Sequence, residues 1–526
     1  MNAEKHRRKN VVPLFASLMV IMLMASLSQM VFSSALPTIV GELHGVEHMS
    51  WVITAYMLAS TITMPIYGKL SDVYGRKPML IIAILLFLAG SGIGIFAGDM
   101  NWLIISRVVQ GLGGGGLMIL AQTAVADVIP ARERGKYTGI MGGVFALSSV
   151  AGPLLGGWLT EGPGWRWAFT LNIPLAVLAI AAIIFLLHLP KPSKENRVRQ
   201  DYFGMALLAG ITTTLILATT WGGVTYAWNS WQIISLFAGA LVGAIAFVFV
   251  ELKAKQPIIP MYLFKERNFV LTTIAAMLIS VAMFGAAGYM PTYFQMAEGI
   301  SASAAGLLMA PMMAALLITS IVVGAFVSKT GKYKAYPIVG ALILSLGLFL
   351  LSTASPGTPV ALICTYMGVI GVGLGMSSQI LTLVVQNTFA HKLVGTATAS
   401  NNYFRQVGSS LGASIVGALF TSRLAEEFAK SSLAHGSSSG ASMSALTPDI
   451  LKSLPDAIQT EILTAYNHAL IPIFLYLVPL GIISAAILLF MKEKALAKEI
   501  KHEAPSESLS EGQPLPTEFE GKAPKR

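Results

Sequence analysis

Two arginines stand where arginine is costly to place. Arg107 lies about five residues inside an apolar run at 102–126, and Arg405 lies inside another at 397–421. At about 1.5 Å per residue, Arg107 sits roughly 8 Å below the nearer end of its helix. A guanidinium at that depth costs about 2.5–3.5 kcal/mol and faces a cavity or a partner, unless it snorkels to the interface. Gln110 shares its helical face, Gln406 adjoins Arg405, and the first apolar run brings Ser28 and Gln29 to comparable depth. No Asp or Glu lies well inside any run: Asp72, Asp127, Glu42, Glu251 and Glu298 fall near ends or in loops. The interior is then neutral or slightly positive. Such an interior favours an anionic or zwitterionic ligand, or a network of Gln and Ser acceptors.

The elements that must position these residues are membrane helices. Hydrophobic residues make up 55% of the 526-residue chain and charged residues 11%, less than half the ~25% of a soluble domain. Mean hydropathy is +0.70. About twenty apolar residues cross a bilayer as a helix, and fourteen stretches qualify. They lie near 13–36, 50–69, 79–97, 102–126, 137–159, 167–188, 203–222, 230–251, 269–294, 303–327, 335–353, 358–386, 397–421 and 470–490. The first is too long for a cleaved signal peptide and reads as a permanent helix.

The net charge of +10 sits in loops, so it speaks to topology and not to nucleic acid. The N-terminal tail and every second connection after it hold about 29 of the 35 Lys and Arg residues. The positive-inside rule makes that side cytoplasmic. Both termini then lie inside, at a bacterial plasma (inner) membrane, and the span count is even. Residues 1–12 form a cytoplasmic tail, 423–469 a long outer loop with a Ser/Gly-rich centre, and 491–526 a polar, Pro-rich, disordered tail. Within the outer loop, Thr447-Pro448 resembles a helix start, with Ile450, Leu451, Leu454 and Ile458 at helical spacing. The loop reads as a small outer cap in preference to a substrate-binding lid.

Nothing in the chain argues for an enzyme. Gly111-x-Gly113-x-x-Gly116 satisfies the dinucleotide fingerprint formally, yet no strand precedes it and no acid follows at ~20 positions to hold a ribose. Close helix packing accounts for it better. No lysine of the phosphate-loop type follows a glycine run, and the eight histidines are scattered without metal-ligand spacing. No cofactor and no metal are expected. A lone Cys364 cannot form an internal bridge.

One internal register links three pairs of segments. GKLSDVYGRK at 68–77 pairs with GAFVSKTGKYK at 324–334, GLGGG at 111–115 with GVGLG at 371–375, and SSVAGPLLGGWL at 148–159 with GSSLGASIVGAL at 408–419. The offsets are about 256 to 260. Two six-helix halves follow, 13–188 and 269–490, with a helix pair at 203–251 inserted between them. Parallel halves with a site at their interface are a transporter architecture.

These segments also resemble a known family. Gly68–Lys77 is similar to the signature loop of the major facilitator superfamily, with Gly68, Asp72, Gly75, Arg76 and Lys77 in place. Arg107-Val-Val-Gln110-Gly111 resembles its fourth-helix motif. Gly152-Pro153-Leu-Leu-Gly156-Gly157 resembles the fifth-helix motif associated with antiporters. The inserted pair, with WRWAFTLNIP (165–174), DYFG (201–204) and NNYFRQVGSSLG (401–412), is similar to the fourteen-span drug:proton antiporter branch. The resemblance implies an all-α major facilitator fold that exports amphipathic drugs or dyes in exchange for protons. A gating role for the signature loop competes with mere fixing of topology, and the span-5 motif would serve packing equally well. Ser328 replaces the loop's acid in the second half, which places the switch mainly in the first.

The first helix departs from the branch. Where relatives carry an acid in a stretch resembling LDxTIVxxALP, this chain reads Leu27-Ser28-Gln29-Met30-Val31-Phe32 and ends Ala35-Leu36-Pro37. Serine holds no titrating proton at physiological pH. A second reading is therefore an exporter of an anionic or lipid-like metabolite, coupled otherwise. A non-transporting sensor would need a folded signalling domain that the short loops do not provide. Met30, Phe32, Tyr289, Tyr293, Phe294, Tyr403 and Phe404 are candidates for a pliable apolar pocket or for packing, and Trp221, Trp228 and Trp231 fit an interfacial belt.

Overall fold

In hydrocarbon every peptide N–H and C=O must find its partner within the segment or a closed barrel, so long apolar runs become helices. The computed structural model describes residues 2–43, 48–187, 200–223, 225–297, 300, 302–430 and 456–496. Among them, β-structure is limited to an isolated bridge between Gly222 and Tyr226. The long helices are α1 (Asn2–Leu43), α2 (Met49–Tyr74), α3 (Arg76–Ile95), α4 (Met100–Val128), α5 (Ala131–Glu161), α6 (Asn172–Leu186) and α7 (Tyr202–Trp221). They continue with α8 (Trp231–Lys253), α9 (Arg267–Ala287), α10 (Ala310–Thr330), α11 (Ala335–Ser352), α12 (Val360–Thr388), α13 (Val394–Lys430) and α14 (Ile473–Leu489). Short helices Trp167–Thr170, Met290–Ala297, Ala302–Leu307 and Asp456–Leu470 extend their neighbours.

Twelve helices of the described residues are long and apolar enough to cross a membrane. The two others, α2 and α13, are as long but interrupt their apolar residues with Ser, Thr and Gly. In α13 the interruptions include Asn401, Asn402, Arg405 and Gln406. These are the helices that face one another across the middle of the molecule. Two boundaries differ from expectation. α1 is helical from Asn2, and the last spanning stretch reaches back to Glu461, because Asp456–Leu470 leads directly into α14. The Ser/Gly-rich centre of the outer loop and most of the C-terminal tail, 431–455 and 497–526, lie outside the described residues.

Buried apolar side chains gather into separate cores, two within α1–α6 and a large one mainly within α9–α14. α7 and α8 pair with each other, and α7 lies against α2 and α13. The two sets of six helices meet along two seams, α5 against α10 and α2 against α13.

The repeated glycines explain these seams. Gly68 and Gly324, the first of each pair, are contact points: a Cβ on Gly68 would overlap Ala399, and one on Gly324 would overlap Gly135 O. Gly75 and Gly331, seven residues later, turn the chain at φ 96° and φ 77°, where only glycine is at ease. The Gly111–Gly116 run packs α4 against α2 and α3, with Tyr56, Ser60 and Ala83 where side chains would otherwise project.

Candidate functional site

Between the seams lies a cavity of about 650 Å³. α2, α4 and α5 form one wall, α10, α12 and α13 the other, and α1, α7 and α9 close its sides. Its lining is mostly apolar, with seven methionines, among them Met22, Met57 and Met118, and with Tyr56, Phe145, Phe284, Tyr289 and Phe420. Polar groups are set into this surface: Gln29, Gln122, Gln379, Asn402, Gln406 and serines of α13. Arg405 is the charged residue among them. A pocket of this size with scattered hydrogen-bonding groups suits a small amphipathic ligand, and methionine repacks around varied shapes.

The cavity is closed toward the face that carries the basic loops. There, Arg76 pairs with Asp72 at 2.6 Å and with Asp127 at 3.0 Å, all three nearly inaccessible. Asp72 Oδ2 accepts from the backbone N–H of Thr396 at 2.7 Å and from its hydroxyl at 2.6 Å. A carboxylate at the first turn of α13 also meets that helix's positive end. On the other seam, Arg132 donates to the carbonyls of Ser328 and Lys329, and the Lys136 N–H donates to Ser328 Oγ at 3.1 Å. Ser328 returns a bond to Glu133 O. Arg134 reaches Gln386 at 3.4 Å, and Asn402 reaches Gln122 at 3.1 Å. Toward the opposite face the lining continues to Gly222, Gly223 and Thr421.

The structure separates the two arginines. Arg405, Gln406 and Gln29 line the cavity. Arg107, Gln110 and Ser28 do not. Arg107 is buried behind the wall, its guanidinium 4.5 Å from the Phe32 ring and 4.3 Å from the Tyr56 ring. Such contacts are worth about 2 kcal/mol or more once desolvated. Its Nε donates to Val52 O at 3.2 Å and its Nη1 to Gln110 Oε1 at 2.6 Å. Gln110 in turn donates to Ser91 Oγ at 2.9 Å, which also accepts from Asn172. The Ser28 hydroxyl is buried without a hydrogen-bond partner among the described residues.

The signature loop is divided between roles. Gly68, Asp72 and Arg76 build the contact with α13, Gly75 makes the turn, and Lys77 caps the end of α6 by donating to Ile184 O at 2.7 Å. In α5, a Cβ on Gly152 would overlap Met30 of α1, and Pro153 faces Gly306 near α10. Gly156 is buried, while nothing lies within 4 Å of a Cβ built on Gly157. Of the apolar candidates, Met30 and Tyr289 line the cavity; Phe32, Tyr293, Phe294 and Tyr403 are buried in packing and Phe404 is partly buried. Sequence reasoning missed Tyr56, Thr396 and Gln122. Tyr56 carried a signal, since it enters α2 from the same face and to the same depth as Arg107 enters α4.

On the opposite face, Glu42 at the end of α1 pairs with Arg166 at 2.6 Å and accepts from the Trp165 indole at 2.7 Å. The Arg166 hydrogen bond and then the indole hold its carboxyl below the usual carboxylate range. A lowered folded-state value means that this link stabilises above the ordinary carboxylate range and is lost as pH falls through the lowered value. Glu42→Gln is therefore expected to lower the melting temperature slightly at pH 7. The two proteins should melt alike once the pH lies below the lowered value. An equal deficit at both pH values would contradict this.

Residues 18–413 match the family profile described as Major Facilitator Superfamily. The chain belongs to the major facilitator superfamily. It is a multi-pass membrane transporter of small molecules and not an enzyme, with the all-helical fold of that superfamily. It is 37% identical over 423 residues to the multidrug transporter protein MdtP of Bacillus subtilis, covering 80% of this chain and 77% of that protein. It is 35% identical over 481 residues to multidrug resistance protein 3 of the same organism, covering 89% and 93%. An uncharacterized transporter of this superfamily from Mycobacterium tuberculosis is 37% identical over 491 residues, covering 93% and 70%. Among solved structures, a proton:xylose symporter matches with TM-score 0.60 at 15% identity, covering 93% of this chain and 98% of that one. A human organic anion transporter matches with TM-score 0.59 at 14% identity, covering 92% and 99%. These two speak for the superfamily fold.

Proposed function

We propose that the chain exports amphipathic drugs or dyes by alternating access, as a member of the fourteen-span drug:proton antiporter branch. The observation that carries this reading is the methionine-lined cavity between two helix sets, closed at the basic face and continuing to the opposite one. The names of the Bacillus subtilis relatives support drugs as cargo. By the positive-inside rule the basic face is cytoplasmic, so both termini lie inside a bacterial plasma membrane and the conformation faces outward. α1–α6 and α9–α14 act as the two moving bodies, and α7 and α8 ride on the seam of α2 and α13. Asp72, Arg76 and Thr396 form the inner gate, and the Gly152–Gly157 segment lets α5 pack on α1 and slide along α10.

Exchange for protons is the coupling that the resemblance implies. With Ser28 in place of the first-helix acid, the acids left to carry it are Asp72 and Asp127 at the basic face.

The test uses purified protein in liposomes, with lumenal pH followed while cationic, neutral and anionic amphipaths are added. Cargo movement accompanied by proton movement in the opposite sense is expected. Cargo movement without a pH change would remove the exchange and leave export standing. Absence of any cargo movement would overturn export itself.

A further inference from the structure

Among the described residues the cavity wall carries a single charged side chain, and none of them forms an ion pair with it. Arg405 projects from α13 into the space between the two helix sets. Its carbonyl accepts from Ser409, but its guanidinium makes no hydrogen bond or ion pair with any described residue. Among the described residues no Asp or Glu lines the cavity. The other arginine of the sequence pair, Arg107, stands behind the Tyr56 ring and meets carbonyl, amide and aromatic partners in place of a carboxylate. Neither Arg107 nor Arg405 thus has a described carboxylate beside it.

A guanidinium does not lose its proton in a protein, so the positive charge persists whatever the pH. It is paired elsewhere in this molecule: Arg76 has Asp72 and Asp127, and Arg166 has Glu42. Arg405 alone among these faces a ligand-sized space. Its planar fork matches a carboxylate, sulfonate or phosphate through two parallel bonds. Beside it, Gln406 and Ser409 supply further polar groups to the same wall. A cation in the same space meets repulsion in a low-dielectric setting, while an apolar body is accommodated by the methionines.

We infer that the cavity's cargo is a small amphipath bearing one anionic group, anchored by Arg405. This deepens the export reading and rests on it. The test compares two fluorescent dyes that share an aromatic body, 8-anilinonaphthalene-1-sulfonate and the uncharged N-phenyl-1-naphthylamine. Binding is measured to the full chain in nanodiscs against empty nanodiscs. The sulfonate should bind the wild type about tenfold tighter or more, as a charge-assisted hydrogen bond implies. Arg405→Gln should erase that preference and leave the neutral dye unchanged. Arg405→Lys, which keeps the charge but loses the fork, should restore part of it. Equal binding of both dyes by the wild type, or a sulfonate preference that survives Arg405→Gln, overturns the inference while leaving export intact. If Ser378→Trp, which narrows the cavity, weakens binding of neither dye, the dyes do not use it and the cavity reading fails as well.

Discussion

Arg76→Ala is expected to abolish closure of the basic face and to cut export by about a hundredfold or more. Arg76 is the centre of the lock: Asp72 and Asp127 both bond to it, and Asp72 carries the link across to Thr396. Removing one partner of a buried ion pair leaves charge uncompensated and costs about 3–5 kcal/mol. That cost falls on the closed state alone, because opening the basic face gives the carboxylates water. At 1.4 kcal/mol per tenfold, the equilibrium shifts by about two to three and a half orders of magnitude. Asp72→Asn is a milder change. It leaves Arg76 with Asp127 and keeps an acceptor for Thr396, so a loss of about tenfold is expected. Initial efflux rates and labelling of a basic-face cysteine by a membrane-impermeant maleimide read the two effects. Wild-type rates with an unlabelled, closed face in Arg76→Ala would contradict the role given to the lock.

Ser378→Trp should stop export without unfolding the protein. Ser378 faces the cavity from α12, is only partly buried, and its side chain is not needed to hold a described neighbour. An indole at that position brings about 150–250 Å² of apolar surface into a space of about 650 Å³. It occupies the place of the cargo while the helix seams stay as they are. Efflux should fall at least tenfold, with a melting temperature within a few degrees of wild type. Export at wild-type rate would show that cargo passes elsewhere. Retention of export together with a large drop in melting temperature would show that the indole has been pushed into the core.

The parts of the fold that depend on one-dimensional pattern were legible. Apolar length marks twelve of the long helices, and the repeat points to matching glycines. The repeat even held a structural reason in its spacing: the first glycine of each pair is a contact and the second a turn at positive φ. Other features depend on which face of a helix meets which neighbour. Arg107 and Arg405 look alike in sequence, each a cation inside an apolar run beside glutamines. One is sealed between Phe32 and Tyr56, and the other looks into open space. The rotation of each helix about its axis decides which surroundings its arginine meets, and hydropathy does not record it. Asp72 and Arg76 sit four apart and announced their pairing. Thr396 lies 324 residues away on the opposite half, and only the packing of α2 on α13 brings it to Asp72. Ser328 shows the reverse lesson. It lacks the acid of its counterpart, yet it joins the halves through its hydroxyl and carbonyl, so both seams take part in the closure.

For cargo to move by alternating access, the basic face must open. The direct measurement places cysteines at Lys136 and Ser328, whose backbone and side chain touch across the α5–α10 seam, in a chain with Cys364→Ser. Efflux is followed in vesicles before oxidation, after disulfide formation and after reduction. The disulfide should stop export, and reduction should restore it. Export that continues at its initial rate with the cross-link complete would contradict alternating access through this face.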